Sequence, residues 1–231
     1  MTESVLKTVV TRGYWKIILR PVVFKLDRIS TLWDCENLLS SCRVAGGWDY
    51  PHLQTVESGD DYIWCETNWE EHKEFWRFYQ TGQFVHYVGF VEDWWKDSML
   101  SDRAMRGYLS GEALDIIHAL FRITQIYEFA DRLASKGTFG DYVNVHIGLH
   151  RILNRKLIAV NRNWDLWVHI AALSELESDL HFATRDLIEK KYELALQNTL
   201  WILERFNWRS VRESANVANL SKEQEKLLKG F

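Results

Sequence analysis

Two histidines, His146 and His150, flank Ile147-Gly148-Leu149. On a helix, imidazoles at i and i+4 share one face and can hold a zinc ion. Here Val143, Val145, Ile147 and Leu149 alternate with polar residues, which predicts a strand. Four residues of strand place the two imidazoles about 13 Å apart, too far for one metal. No Glu lies between them to serve as a base. The pair therefore reads as a polar strand face shared with Asn144, and no metal or other cofactor is expected. A second concentration of chemistry is acidic: Glu57, Asp60, Asp61, Glu66, Glu70, Glu71 and Glu74, offset only by Lys73. Paired carboxylates can hold magnesium or act as general acid and base. A metal-dependent nuclease would follow its acid with Glu-x-Lys, whereas this chain has Glu66-Thr67-Asn68. A solvated loop face accounts for the acids equally.

The opposite bias occupies His150 to Asn163, which contains no acid. Arg151, Arg155, Lys156 and Arg162 are interleaved with asparagines, and Trp164 follows. Guanidinium forks suit phosphates and an exposed indole can stack on a base. These five residues are the expected contact surface for an anionic ligand or nucleic acid. Basic residues guarding an ordinary strand edge are the competing reading. The loop Gly46-Gly47-Trp48-Asp49-Tyr50-Pro51 has neither GxGxxG nor GxxxxGK[ST] spacing, so it reads as a structural corner with Trp48 and Tyr50 pinned inward. GxSxG is absent, and Cys35, Cys42 and Cys65 stand in no nucleophile motif. Their odd number and the lack of CxxC predict reduced, buried thiols.

These groups must be positioned by alternating strands and amphipathic helices. Tyr14 to Arg20 predicts a strand stopping at Pro21. Ser30 or Thr31 caps a helix bearing Leu32, Cys35, Leu38, Leu39 and Cys42. Tyr62 to Glu66 predicts a short strand. Glu74–Gln80 and Gln83–Val91 flank Thr81-Gly82 as a hairpin, with apolar residues on both faces that predict cover on both sides. A charged stretch from Glu92 to Gly107 divides the chain. Ser110 precedes a long helix through Leu114, Leu120, Phe129 and Leu133, closed by Gly137. Strands are expected at Tyr142–Leu149, Arg155–Val160 and Asp165–Ile170. Thr184 caps the last long helix, and Ser221 with Gln224 forms a capping box for a short terminal one. The fold class is α+β: two intimately packed mixed halves, 1–106 with the hairpin at 74–91 and 107–231 with the long helices, built on antiparallel strands.

Four segments together resemble an uncharacterised bacterial region associated with Schlafen/AlbA-type nucleic-acid-binding or ATPase-like proteins. They are Leu19-Arg20-Pro21, GGWDYP, FWRFYQTGQFVHY and LERFNW. The resemblance spans Arg12 to Trp208, although the AlbA-type domain itself is not evident. It implies a bacterial accessory domain near defence or regulatory genes and supplies no catalytic residue.

The chain has 231 residues, a net charge of −4 and twelve tryptophans. Its global field recruits neither nucleic acid nor anionic membrane. The N-terminus has no signal-peptide pattern, and the longest apolar run is too short to span a bilayer, so a cytoplasmic location is expected. Surplus aromatics, separated acidic and basic segments and missing catalytic motifs together suggest a non-enzymatic interaction or sensor subunit, with a protein partner or a homo-oligomeric state. A nucleic-acid- or nucleotide-binding module using 151–167 is the alternative, and a metal-dependent hydrolase the third reading.

Overall fold

The structure is a computed structural model and describes residues 4–46, 49–95, 110–160, 166 and 169–229. Its centre is a seven-stranded antiparallel sheet. The strands are β1 (Tyr14–Pro21), β2 (Glu57–Ser58), β3 (Tyr62–Trp69), β4 (His72–Tyr79), β5 (Phe84–Gly89), β7 (Tyr142–His150) and β9 (Glu175–Ala183), in the order β2-β3-β4-β5-β1-β7-β9. β1 lies between β5 and β7, so strands from both sides of 96–109 form one sheet. A small parallel pair joins β6 (Ala113–Asp115) to β8 (Lys156–Ile158). The α+β class is therefore observed.

One sheet face is the core. Trp15, Ile17, Leu19, Trp76, Phe78, Phe84, Val143, Val145 and Ile147 point into it at strand period. They belong to one buried cluster with residues of α2 (Leu32–Cys42), α4 (Ile116–Ser135) and α5 (Thr184–Glu204). In α2, Thr31 Oγ1 accepts from the Asp34 N–H at 3.0 Å, and Cys35, Leu39 and Cys42 are buried at helical spacing. All three cysteines are free and buried. α4 is capped by Asp115 rather than Ser110, because its carboxylate accepts from the N–H groups of Ile117 and His118 at 2.8 and 3.0 Å. α4 and α5 are joined by Glu128, which accepts from Arg132, Lys191 and the Tyr192 hydroxyl.

Several expected elements differ. The hairpin holds, with β4 and β5 antiparallel across the Thr81-Gly82 turn. The expected cover on its second face is partial. There the helix α1 (Ser4–Val9) packs over the β3–β5 end through Val5 and Val9. Towards β9 that face opens, with Glu175, Glu177, Asp179 and His181 exposed. β9 itself was not expected, since three acids obscure the alternation that buries Leu176 and Ser178. Ser221 and Gln224 do not begin a helix. They lie inside α6 (Ser214–Leu228), where the Gln224 amide donates to Thr124 Oγ1 and the Tyr192 carbonyl. Thr184 opens α5 without capping it, and its hydroxyl donates to the Gly140 carbonyl. Half of the strand expected at Asp165–Ile170, and the dividing stretch from 96 onward, lie outside the described residues.

Candidate binding site

Of the predicted basic residues the structure describes Arg151, Arg155 and Lys156, and Arg155 does not share the surface with the other two. Arg155 is only 1% exposed and turns inward, away from any ligand. Its guanidinium grips the Asp93 carboxylate with both Nη atoms, the Nη1 bond being 2.7 Å, while Nη1 also donates to the Ala113 carbonyl and Nε to the Arg151 carbonyl. Asp93 accepts further bonds from the N–H groups of Gly13 and Gly111. A Cβ at Gly13 would lie 2.2 Å from Arg155 Nη2, so only glycine admits the pair. Arg155 therefore fastens β1, β6 and β8 around α3 (Val91–Trp94). The surface patch built around it is corrected accordingly. Arg151 is exposed and donates to the Val10 carbonyl, and Lys156 is exposed on β8. Arg162 and Trp164 lie outside the described residues.

The acidic cluster disperses as well. Glu66 accepts from the Ser4 hydroxyl and the Val5 N–H of α1. Glu74 is buried in the core, 2.7 Å from His86 Nε2, and burial lowers the His86 pKa despite that carboxylate. Among the described residues no three His, Cys, Asp or Glu side chains are placed to hold a metal ion. A further acid–imidazole pair, Glu92 with His118 Nδ1 at 3.3 Å, has no described nucleophile hydrogen-bonded to it.

The open sheet face is where polar side chains do converge. The expected separation of His146 and His150 holds for their backbones but not for their rings. Both imidazoles lean over Gly148, where a Cβ would stand 2.9 Å from His150 Nε2 and 3.6 Å from His146 Nε2. Each Nε2 faces the same Glu177 oxygen, at 3.9 Å from His146 and 3.8 Å from His150. These distances exceed hydrogen bonds, and both nitrogens are buried without a partner. Lys16 Nζ approaches the same oxygen at 4.0 Å, and Tyr14 stacks on His150 at 4.6 Å. Burial lowers the His146 pKa, against the pull of Glu177.

One row along the strands from this cluster, Arg20, Asn144 and His181 pair across β1, β7 and β9. Asn144 is buried and organises both neighbours. Its Oδ1 accepts from Arg20 Nε at 3.1 Å, and its Nδ2 donates to Asp179 Oδ1 at 2.5 Å and to His181 Nδ1 at 3.4 Å. Beside the row is a cavity of about 270 Å³. Its rim continues into the loop after β1, where Val22, Val23, Phe24 and Leu26 are 50, 69, 75 and 59% exposed. Arg28 holds this loop by donating to the Val23 carbonyl at 2.6 Å. Sequence reading missed the site because its members are spread over 160 residues of chain. The available signal was the run Val22-Val23-Phe24-Lys25-Leu26, apolar yet immediately after a strand-ending proline.

No protein-family model, curated protein or solved structure matches the chain. Among the described residues no helix is long and apolar enough to cross a membrane.

Proposed function

We propose that the chain is a non-enzymatic binding subunit that takes an acidic segment of a protein partner on the Val22–Leu26 loop and the sheet face behind it. One observation carries this reading: four large apolar side chains stand half or more exposed in five residues, on the rim of a polar cavity. Scattered exposed apolar residues are ordinary, whereas a contiguous set marks an interaction surface. The charges beside it favour an acidic partner. At the loop itself Arg20, Lys25 and Arg28 outnumber Asp27. The exposed acids Glu175, Glu177 and Asp179 of β9 stand one row and more farther along the sheet, so the acidic segment is placed at the loop end. Such complementarity steers encounter and fixes register. The resemblance to a bacterial accessory region suggests the same kind of role.

The test is Val23→Asp combined with Leu26→Asp, positions whose exposure should keep each cost within about 0.5 kcal/mol. Wild type and double variant are each used to capture proteins from the native host, with quantitative identification. Proteins held by this surface should fall at least tenfold with the variant and should elute from wild type as salt rises. Equal recovery of every captured protein by a variant of unchanged melting temperature refutes the reading.

A further inference from the structure

We propose that the cavity beside Arg20 binds a single oxyanion group, a carboxylate or phosphoryl, carried on a small apolar body. The inference deepens the partner-binding reading, on which it rests for the identity of the surface. The lining is donor-rich. Arg20 engages Asn144 through Nε alone, so Nη1 and Nη2 have no hydrogen-bond partner among the described residues. His181 lies on the other side of Asn144, its Nδ1 3.4 Å from the Asn144 amide nitrogen, and its imidazole is a further ring able to hydrogen-bond a ligand in the cavity. The Thr81 hydroxyl and the Gln83 amide add further donors to the same cavity. Among the described residues no carboxylate lines it. Asp179, one row along and opposite His146, already accepts from Asn144.

Charge-assisted bonds from guanidinium to carboxylate or phosphate are the strong members of their class. A buried asparagine that fixes both the arginine and the histidine prepares that recognition before the ligand arrives. The rest of the wall is Pro21, Val22 and Phe24, which suits an apolar body attached to the anion. A volume near 270 Å³ admits a group the size of a substituted benzene. The same chemistry can arrive free in solution or as an acidic side chain of the partner.

The experiment titrates the full chain with phenyl phosphate and with benzoate, using benzamide as the neutral control. A second arm titrates the acetylated, amidated tripeptide Phe-Glu-Phe. At least one anion or the tripeptide should saturate at one equivalent, and benzamide should not bind. Arg20→Gln and, separately, His181→Ala should weaken that binding, Arg20→Gln by tenfold or more, while Lys156→Gln leaves it unchanged. Binding of the free anions assigns a small-molecule source, and binding of the tripeptide alone assigns a partner side chain. Failure of every probe to saturate overturns the proposal, as does Arg20→Gln or His181→Ala binding within twofold of wild type. The Val23→Asp/Leu26→Asp variant separates the two readings, because neither residue lines the cavity. Anion binding with capture insensitive to that variant refutes the partner surface alone. Capture lost in that variant with no probe binding refutes the oxyanion site alone.

Discussion

Replacing Arg155 by alanine removes the cation from a fully buried pair and leaves the Asp93 carboxyl with two backbone N–H donors and no counter-ion. Removing one partner of such a pair costs about 3–5 kcal/mol, because the remaining charge has no water to return to. Both side chains are 1% exposed, so solvent screening gives little relief. For a chain of this size about 1 kcal/mol lowers Tm by roughly 2–4 °C, so a fall of about 6–20 °C is expected. Lys156→Glu, one residue on and exposed, should change stability by no more than about 0.5 kcal/mol. Thermal and urea unfolding followed by circular dichroism compare the two variants. Gly13→Ala should resemble Arg155→Ala, since the new methyl would occupy the space of the guanidinium. If Arg155→Ala melts within two degrees of Lys156→Glu, the buried-pair reasoning is wrong.

Further outcomes follow from burial and titration. Burial lowers the pKa values of His86, His72 and His146, so the folded state binds their protons less readily than the unfolded chain. Their contribution should be full above the unfolded value near 6.5 and decline as pH falls through the depressed folded values. His118, raised against its burial by Glu92, works in the opposite sense, and the three outweigh the one, moving the urea midpoint down between pH 7 and 5; a flat midpoint over that range contradicts this. Burial raises all three thiol pKa values, that of Cys35 to about 11, so native protein should react slowly with a disulfide reagent and titrate three thiols in denaturant. A rapidly reacting thiol in native protein would count against that burial. Gln224→Leu removes the two amide bonds to the Tyr192 carbonyl and Thr124 Oγ1 beneath α6 and should cost about 1–3 kcal/mol by urea unfolding; an unchanged midpoint would show that α6 is not anchored there.

Local pattern made some elements legible and hid others. The Thr31-capped helix and the 74–91 hairpin announce themselves because their neighbours in sequence are also their partners in structure, whereas Tyr14–Arg20 does so by its aromatic and β-branched composition alone, its partners β5 and β7 lying far along the chain. Arg155 was not legible. Alternation separates it from Lys156, but only Asp93, 62 residues earlier, determines which of the two faces inward. β9 was hidden because Glu175, Glu177 and Asp179 make it look like a polar loop, although acids on the outward face of an edge strand are how such edges resist pairing. Backbone arithmetic placed His146 and His150 far apart, and the missing Cβ of Gly148 lets their rings converge. The Arg20–Asn144–His181 row depends on the register of three strands distant in sequence, which composition does not encode.

The proposed docking of partners on the loop after β1 can be read directly in cells. A photo-crosslinking amino acid placed at Val23, and in a parallel protein at Lys156, tests it inside the native host. Adducts to a distinct protein should form from position 23 and be absent from position 156, with both variants melting like wild type. No adduct from position 23, or the same adducts from both positions, would contradict the account.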